Sequence, residues 1–319
     1  MKLDLDERKP WNATQLAVWF ALTTLAVVAV SSLIAAVLAP WLEQQNGAVA
    51  EFALSRGPAK LARRIMTVLA IPCLVWLVRR LGWEGWRDGG WSQRPGLGID
   101  PFWRGDLWLG AGIGIVTFAM LAGGAVLAGT REAGPSWTGF EYVSGSLGII
   151  LTAVVVALIE ETIARGILLR LLARPWSWLA ASLFSSMLFA YAHFMEVATE
   201  AFQVQGVWGR AWAIGYSTIV DGVAADGFAL EFVNMTIMSC VLCFMFVRTR
   251  TVWLAVGTHA AWAGMRLFNA ELTDKVRDVG DTVLFGKRAG QTDSLAATLI
   301  LLGLLALLWR FLPARRRSG

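Results

Sequence analysis

The residues of this chain that could do chemistry are a few ionisable side chains inside apolar stretches. Glu160 and Glu161 follow a long apolar run, and Arg165 comes four residues after Glu161. The only two histidines, His193 and His259, also fall in apolar segments. An ionisable side chain at the centre of a membrane costs about 2.5–3.5 kcal/mol on insertion scales, so each one indicates a function. Imidazoles and a carboxylate that face one cavity are what general-base activation of water requires.

The spacing of the two glutamates predicts different surroundings for them. On a helix, Glu161 and Arg165 lie on one face at positions i and i+4, where they can form an ion pair. Glu160 is turned by about 100° around the helix axis and has no such partner within the helix. The alternative is a helix that emerges into water near residue 160 and carries ordinary solvated charges. The leucine-rich stretch 167–172 argues against it, because it keeps the segment apolar beyond Arg165.

The composition predicts that membrane helices hold these residues. Of the 319 residues, 56% are hydrophobic and 16% are charged, whereas soluble domains have about 45–50% and about 25%. The mean hydropathy is +0.57. These values exclude an ordinary soluble globular protein, and they are the opposite of the composition of a disordered chain. The net charge of +5 is not gathered into the solvated basic patch that nucleic-acid binding needs.

Eight apolar segments predict an all-α, polytopic integral membrane helical bundle, because each is near the ~20 residues that a helix needs to cross the hydrocarbon core. They lie at about 15–39, 64–79, 107–128, 146–173, 177–195, 228–247, 252–268 and 294–313. The longest connections, 195–228 and 268–294, are too short for a separate domain, so residues 1–319 are expected to form a single integral-membrane domain. Basic residues are more frequent on the side of the N-terminus, which predicts cytoplasmic N- and C-termini.

Two smaller patterns are interpreted as packing. Gly110 and Gly114 form a GxxxG pair in the third predicted span, which permits the close approach of another helix. The cysteines Cys73, Cys240 and Cys243 all lie inside apolar runs. An odd number of cysteines in hydrocarbon does not indicate a disulfide framework.

Three motifs together resemble those of the CPBP family of intramembrane glutamic endopeptidases, which includes the CAAX prenyl proteases and the bacterial Abi-type proteins. They are EExxxR at 160–165, FxxxH from Phe189 to His193, and the final histidine motif at His259. Their order and spacing agree with the family. The resemblance covers about residues 145–265, which would be the catalytic core.

The resemblance implies hydrolysis of a peptide bond in a membrane-associated protein or peptide, near its C-terminus, without a metal, a cofactor or a covalent acyl-enzyme. Glu160 would be the general base that activates the attacking water, and His193 would help to orient or polarise that water. Glu161 would pair with Arg165 and hold the helix geometry. His259 would donate a hydrogen bond to the developing oxyanion.

One position departs from the family pattern. The family usually has an asparagine four residues after the last histidine, as a second oxyanion donor, and this chain has Ala263 there. The loss of one such donor typically costs about 10²–10³ in rate. Asn234 in the sixth span could supply the missing amide, and Asn269 is a poorer candidate by position. Alternatively, the chain belongs to a branch with altered chemistry or is a pseudoenzyme.

Two other classes of function stay open. A zinc protease could use the two histidines and a glutamate, although the chain has no HExxH motif. A non-catalytic membrane protein, such as an immunity factor, a scaffold or a transporter subunit, could use buried glutamate and histidine to line an ion path. The expected partners are the lipid bilayer and a membrane-anchored substrate, with no nucleic acid. The expected location is a bacterial inner (cytoplasmic) membrane.

Overall fold

The described part of the protein is almost entirely helical. The computed structural model describes residues 13–45, 47–54, 57–80, 91, 102–134, 140–224, 227–276, 283–286 and 291–315. Helices make up nearly all of these residues, and the predicted all-α fold is confirmed. The chain ends for which a cytoplasmic location is predicted, residues 1–12 and 316–319, lie outside the described residues.

The helices follow one another with few other elements between them. They are α1 (Ala13–Glu43), α2 (Ala48–Leu54), α3 (Pro58–Arg80), α4 (Trp103–Leu127), α5 (Phe140–Glu161), α6 (Arg170–Leu172), α7 (Trp178–His193), α8 (Val207–Ala224), α9 (Phe228–Thr249), α10 (Trp253–Leu272) and α11 (Leu295–Phe311). A π-helical segment, Thr162–Leu169, joins α5 to α6, and a 3₁₀ turn, Thr199–Gln203, precedes α8. Strands β1 (Arg131–Ala133) and β2 (Thr273–Lys275) pair antiparallel, with Arg131 opposite Lys275.

Each of the eight predicted spans coincides with a helix, and the fourth span runs through α5, the π-helical segment and α6. Among the described residues, four helical stretches are long and apolar enough to cross a membrane, and they are Val18–Glu43, Trp103–Leu127, Tyr142–Leu172 and Phe228–Thr249. Helix α8 lies in the connection 195–228, for which no helix was expected. It buries Ile214, Ser217, Thr218 and Gly222, so small and polar residues interrupt its apolar pattern.

The apolar helices present much of their surface outward. In the most apolar window of Tyr142–Leu172, only 11% of the residues are buried inside the protein. Leu147, Leu151 and Val155 on this helix are all exposed. Such a surface is stable in contact with lipid chains and unstable in contact with water, as expected for a membrane protein.

The chain divides into two compact units. The first contains α4, α5, α9, α10, α11 and α7 up to Ala190, and the second contains α1, α2, α3, α8 and the end of α7. In the second unit, Ala35, Ala36 and Ala62 pack with Ile214. Arg210 also donates to the carbonyl oxygen of Ala36 at 2.8 Å. Small side chains therefore let α1, α3 and α8 approach one another closely.

In the first unit, α4 packs against α10 through glycine. A Cβ atom on Gly110 would lie 2.2 Å from the Leu254 carbonyl oxygen, and one on Gly114 would lie 2.6 Å from the Ala261 Cβ. The backbone at Gly257 approaches α4 just as closely. The predicted role of the GxxxG pair in close packing is thereby seen directly. The contacts advance together along both helices, so α4 and α10 run parallel. This agrees with the predicted order of spans, in which the third and the seventh have the same direction.

The segment after α11 returns to the beginning of α4. The Arg315 guanidinium forms a two-pronged ion pair with the Asp106 carboxylate, with Nη1 at 2.7 Å from Oδ2. Asp106 is buried in the first turn of α4, where the helix dipole favours a negative charge. The Arg315 backbone also donates to the carbonyl oxygen of Arg248 at 3.0 Å. The start of α4 and the ends of α9 and α11 therefore lie at one end of the first unit.

Replacement of Gly110 by alanine should destabilise the protein, because the added Cβ would overlap backbone atoms of α10. Overpacking of this kind costs about 1–3 kcal/mol. Gly112 is the matched control, because a Cβ there would meet no atom within 4 Å. We expect thermal unfolding in detergent to show a lower Tm for Gly110→Ala and an unchanged or higher Tm for Gly112→Ala. Equal Tm values for the two variants would contradict the close α4–α10 contact.

Candidate active site

The two adjacent glutamates end α5, and the next eight residues form a π-helical segment. Arg165 lies in this segment, four residues after Glu161. π-Helical turns are rare in proteins and often occur at functional sites. The sequence pattern predicts an ordinary helix here, since no residue type in Thr162–Leu169 marks the change. The segment buries Arg165 together with Gly166, Ile167 and other residues.

Glu161 and Arg165 form a fully buried ion pair. Arg165 Nη1 lies 2.7 Å from Glu161 Oε1, and both side chains are 0% exposed. Arg165 Nη2 donates to Ser239 of α9, at 2.6 Å to the hydroxyl and 3.1 Å to the carbonyl oxygen. The pair therefore joins the end of α5 to the middle of α9. Ser239 was not predicted as part of the site, and a serine inside an apolar helix is the only signal that could have found it.

His259 lies between the two glutamates. Its Nδ1 is 2.8 Å from Glu161 Oε1, and its Nε2 is 3.7 Å from Glu160 Oε2. An ionised carboxylate only accepts hydrogen bonds, so Nδ1 carries the proton that is shared with Glu161. This assignment leaves Nε2 facing Glu160. One imidazole ring thus connects a buried carboxylate to a more accessible one.

Phe189 of α7 packs against two side chains of the cluster, Arg165 and His259. Its ring centroid is 4.7 Å from the Arg165 guanidinium carbon and 5.8 Å from the centre of the His259 ring. It also lies in a buried apolar cluster with Ala164 and Met235. A cation over an aromatic face is attracted to it, most strongly where water is excluded. The phenylalanine of the FxxxH motif therefore holds the arginine and the histidine in place.

Helix α10 holds His259 by its contact with α4. Gly257 and Thr258, just before the histidine, lie against the α4 backbone. Three residues after the histidine, Trp262 Nε1 donates to Thr117 Oγ1 of α4 at 2.9 Å. His259 is the seventh residue of α10, so it lies ~9 Å along the axis from the start of that helix. It is 5% exposed.

Three tryptophans pack together near the cluster, at the start of α10. Trp253 Nε1 donates to the Trp91 carbonyl oxygen at 3.0 Å, and Trp91 Nε1 donates to Thr162 Oγ1 at 3.1 Å. The rings of Trp91 and Trp103 pack on that of Trp253, with centroids 5.5 and 5.4 Å away. Tryptophan is enriched where membrane meets water. The hydrogen bonds of these tryptophans connect the start of α10 to Thr162, the residue after Glu161.

The region that contains this cluster matches a known family. Residues 143–265 match the family model for the Rce1-like type II CAAX prenyl endopeptidases. We call this range, which is similar to that family, the Rce1-like domain. The family predicted from the three motifs is confirmed. No curated protein and no solved structure matches the chain.

The Rce1-like domain contains every residue predicted for the site, but they do not all lie in one unit. Glu160, Glu161, Arg165 and His259 are brought together in the first unit. His193 is the last residue of α7 and belongs to the second unit, where its side chain is exposed.

Asn234 of the Rce1-like domain uses its amide to hold another part of the chain. Its Nδ2 donates to the carbonyl oxygens of Thr292 and Ser294, each at 2.8 Å. Its Oδ1 accepts from Thr298 Oγ1 at 2.6 Å. Both Nδ2 hydrogens are therefore used to fix the start of α11, and this arrangement leaves neither of them for a substrate oxygen. Spacing along the chain could not reveal which segment packs against this side chain.

Ala263 lies one turn after His259 on α10 and is half-buried, so it offers no donor beside the histidine. Asn269, the other candidate amide, accepts at its Oδ1 from Thr273 Oγ1 at 3.2 Å, near the end of α10. Within the described part of the chain, no three side chains of His, Cys, Asp and Glu converge as metal ligands would.

Arg165→Ala should strongly destabilise the Rce1-like domain. Removal of one partner of a buried ion pair leaves an uncompensated charge and costs about 3–5 kcal/mol. The Tm of Arg165→Lys should lie between those of Arg165→Ala and the wild type. Lysine keeps the charge but lacks the planar guanidinium group that reaches Glu161 and Ser239 together. The measurement is the Tm in detergent, with the exposed Arg266→Ala on α10 as control. Equal Tm values for Arg165→Ala and Arg266→Ala would contradict a structural role for this pair.

Proposed function

We propose that this protein is an intramembrane glutamic peptidase. In this proposal, Glu160 activates a water molecule that hydrolyses a peptide bond in a membrane-associated protein or peptide, near its C-terminus. The observation that carries the proposal is the position of His259, whose Nε2 faces Glu160 while its Nδ1 bonds to Glu161. The Rce1-like family match supports a membrane protease in general.

The difference in exposure between the two glutamates supports different roles for them. The Glu160 side chain is 35% exposed, whereas that of Glu161 is 0% exposed. Near Glu160 on α5, the aliphatic side chains Val156 and Ile159 are exposed as well. Glu160 is therefore partly exposed beside an apolar surface of the helix, while its Oε2 atom, which faces His259, is buried. A substrate anchored in the membrane can reach it there from the lipid.

The distance between Glu160 and His259 fits one water molecule that contacts both. Their facing atoms, Oε2 and Nε2, are 3.7 Å apart. A single water can lie to one side at ~2.8 Å from each, which is an ordinary hydrogen-bond distance. As the water oxygen attacks the carbonyl carbon, Glu160 takes the water proton. When the tetrahedral intermediate collapses, the C–N bond breaks and the proton passes to the leaving amine, giving a carboxylic acid and an amine.

The other residues of the cluster position His259 and support the developing charge. Glu161 fixes the ring through Nδ1, so donation from Nε2 to the oxyanion requires an imidazole with a proton on both nitrogens. Arg165 compensates the charge of Glu161. Since Ala263 supplies no second donor, oxyanion stabilisation in this protein relies on His259. We propose that His193, which ends the helix that carries Phe189, helps to orient the water, as the FxxxH motif implies.

The proposed location is a bacterial inner membrane, with both termini in the cytoplasm. The supporting observation is that the start of α4 and the ends of α9 and α11 lie at one end of the first unit. Arginines gather at these ends, and they are Arg104, Arg248, Arg250, Arg310 and Arg315. An excess of basic residues marks the cytoplasmic side of membrane proteins.

Glu160→Gln should abolish cleavage without lowering the amount of protein in the membrane. Glutamine keeps the size of the side chain but cannot take a proton from water. The measurement compares the C-termini and the membrane proteome of cells that carry the wild type, Glu160→Gln or the exposed control Glu200→Gln. We expect an uncleaved precursor to accumulate only with Glu160→Gln. Full processing by that variant would overturn the proposed function.

Chelators should leave the activity of the purified protein unchanged, because the proposed reaction uses a carboxylate and an imidazole. The precursor identified by the proteome comparison serves as substrate, with and without EDTA or phenanthroline. Zinc present in a one-to-one ratio with the protein, and lost together with activity, would replace the glutamic mechanism with a zinc mechanism.

A further inference from the structure

Small polar side chains are buried on α7 and α9, and one pair of them, Ser186 and Cys243, joins the two helices. We call this set the α7–α9 seam, and its members are Ser182, Ser185, Ser186, Ser239 and Cys243. Their exposed fractions are at most 7%. Small residues let transmembrane helices pack closely, so a row of them is not by itself a site. The seam differs from ordinary small-residue packing because some of its hydroxyl groups lack hydrogen-bond partners.

Two hydroxyl groups of the seam have no partner. Among the described residues, nothing bonds to the Oγ atoms of Ser182 and Ser185, although both atoms are buried. A serine in a helix usually donates to the carbonyl oxygen of the preceding turn, as Ser217 of α8 does to Ile214. A buried polar group without a partner costs about 1–3 kcal/mol. A structure avoids this cost when an ordered water fills the place.

Hydrogen-bond partners are also missing in the candidate active site, where Ser239 of the seam binds Arg165. Glu161 Oε2 and Arg165 Nε are buried, and the described part of the chain offers neither of them a hydrogen-bond partner. A charged oxygen and a charged nitrogen are costlier to leave unsatisfied than a hydroxyl. Buried waters in proteins typically make about three hydrogen bonds to groups of this kind.

The members of the seam follow one another at spacings of one helical turn, from near the start of α7 to the buried ion pair. Ser182 lies four residues after Trp178, which begins α7, and Ser186 follows one turn later. The Ser186 hydroxyl lies 3.6 Å from Cys243 Sγ on α9. Ser239, one turn from Cys243 on α9, bonds to Arg165. Two contacts and two steps of one helical turn thus lead from Ser182 to Arg165.

We propose that the α7–α9 seam holds a file of ordered water molecules and supplies water to the active site from inside the protein. Hydrolysis consumes one water in each cycle, and hydrocarbon surrounds the site. Glu160 opens toward the lipid, so a substrate and a water molecule approach the cluster from different sides. The use of this water in catalysis rests on the proposed function. The presence of the water does not.

X-ray hydroxyl-radical footprinting of the full-length protein in detergent tests for this water, because radicals form from water and label side chains beside it. Cys243 and Met245 are both 0% exposed sulfur-containing side chains on α9. Met245 lies in an apolar core cluster, so it is the matched control. After each rate is divided by the intrinsic reactivity of the free amino acid, we expect Cys243 to be labelled several-fold faster than Met245. We also expect the double variant Ser182→Val/Ser185→Val to lose this difference. Equal labelling of the two residues in the wild type would overturn the proposal.

Cleavage of the precursor tests the use of the water. Ser182→Val/Ser185→Val should lower kcat several-fold at unchanged KM, whereas Ser182→Gly/Ser185→Gly, which leaves room for water, should keep kcat. Ser31→Val is the control, because Ser31 is a buried serine of α1 in the second unit. An unchanged kcat in the valine pair would overturn the supply of water to the site.

Glu160→Gln separates the two proposals. It should abolish cleavage and leave Cys243 labelled as in the wild type. If Glu160→Gln cleaves normally while Cys243 is labelled, the glutamic mechanism fails and the water file stands. If Glu160→Gln is inactive and Cys243 is labelled no faster than Met245, the water file fails and the glutamic mechanism stands.

Discussion

One buried carboxylate holds the arrangement of the site together. Glu161 Oε1 accepts from Arg165 on one side and from His259 on the other, at 2.7 and 2.8 Å. Removal of such charges from water is costly, and the cost is recovered only when the partners keep good geometry. The glycine contact between α4 and α10 fixes the position of His259 along α10 relative to α4. Phe189 and Ser239 hold the guanidinium group of Arg165. These contacts therefore keep the side chains of Glu161, Arg165 and His259 in place.

The residues that chain spacing could reveal were those within one helix. The i, i+4 relation predicts the ion pair of Glu161 and Arg165, and the turn of about 100° predicts a different environment for Glu160. The GxxxG pair predicts a close helix contact, although not which helix it contacts. The apolar segments predict the helices, because burial in lipid imposes length and composition on each of them. Helix α8 was not predicted, because polar and small residues interrupt its apolar pattern.

What the sequence could not reveal depends on contacts between distant segments. The hydrogen bond between His259 and Glu161 depends on how far α5 and α10 are shifted along their axes relative to each other. The amide of Asn234 suited an oxyanion donor by residue type, but the loop before α11 occupies it. Ser239 and the serines of α7 look like ordinary small packing residues until their partners are known. The different exposure of Glu160 and Glu161 also depends on the helices packed around them, which no linear pattern contains.

The most direct test of the central claim measures kcat and Tm together for the two adjacent glutamates, in purified Glu160→Gln and Glu161→Gln. General-base catalysis typically contributes about 10²–10⁴ in rate, so Glu160→Gln should lose at least that much activity at an unchanged Tm. Glu161→Gln should lower the Tm as well as kcat, because Arg165 would remain buried without its charged partner. A kcat near that of the wild type in Glu160→Gln would contradict the assignment of Glu160 as the base.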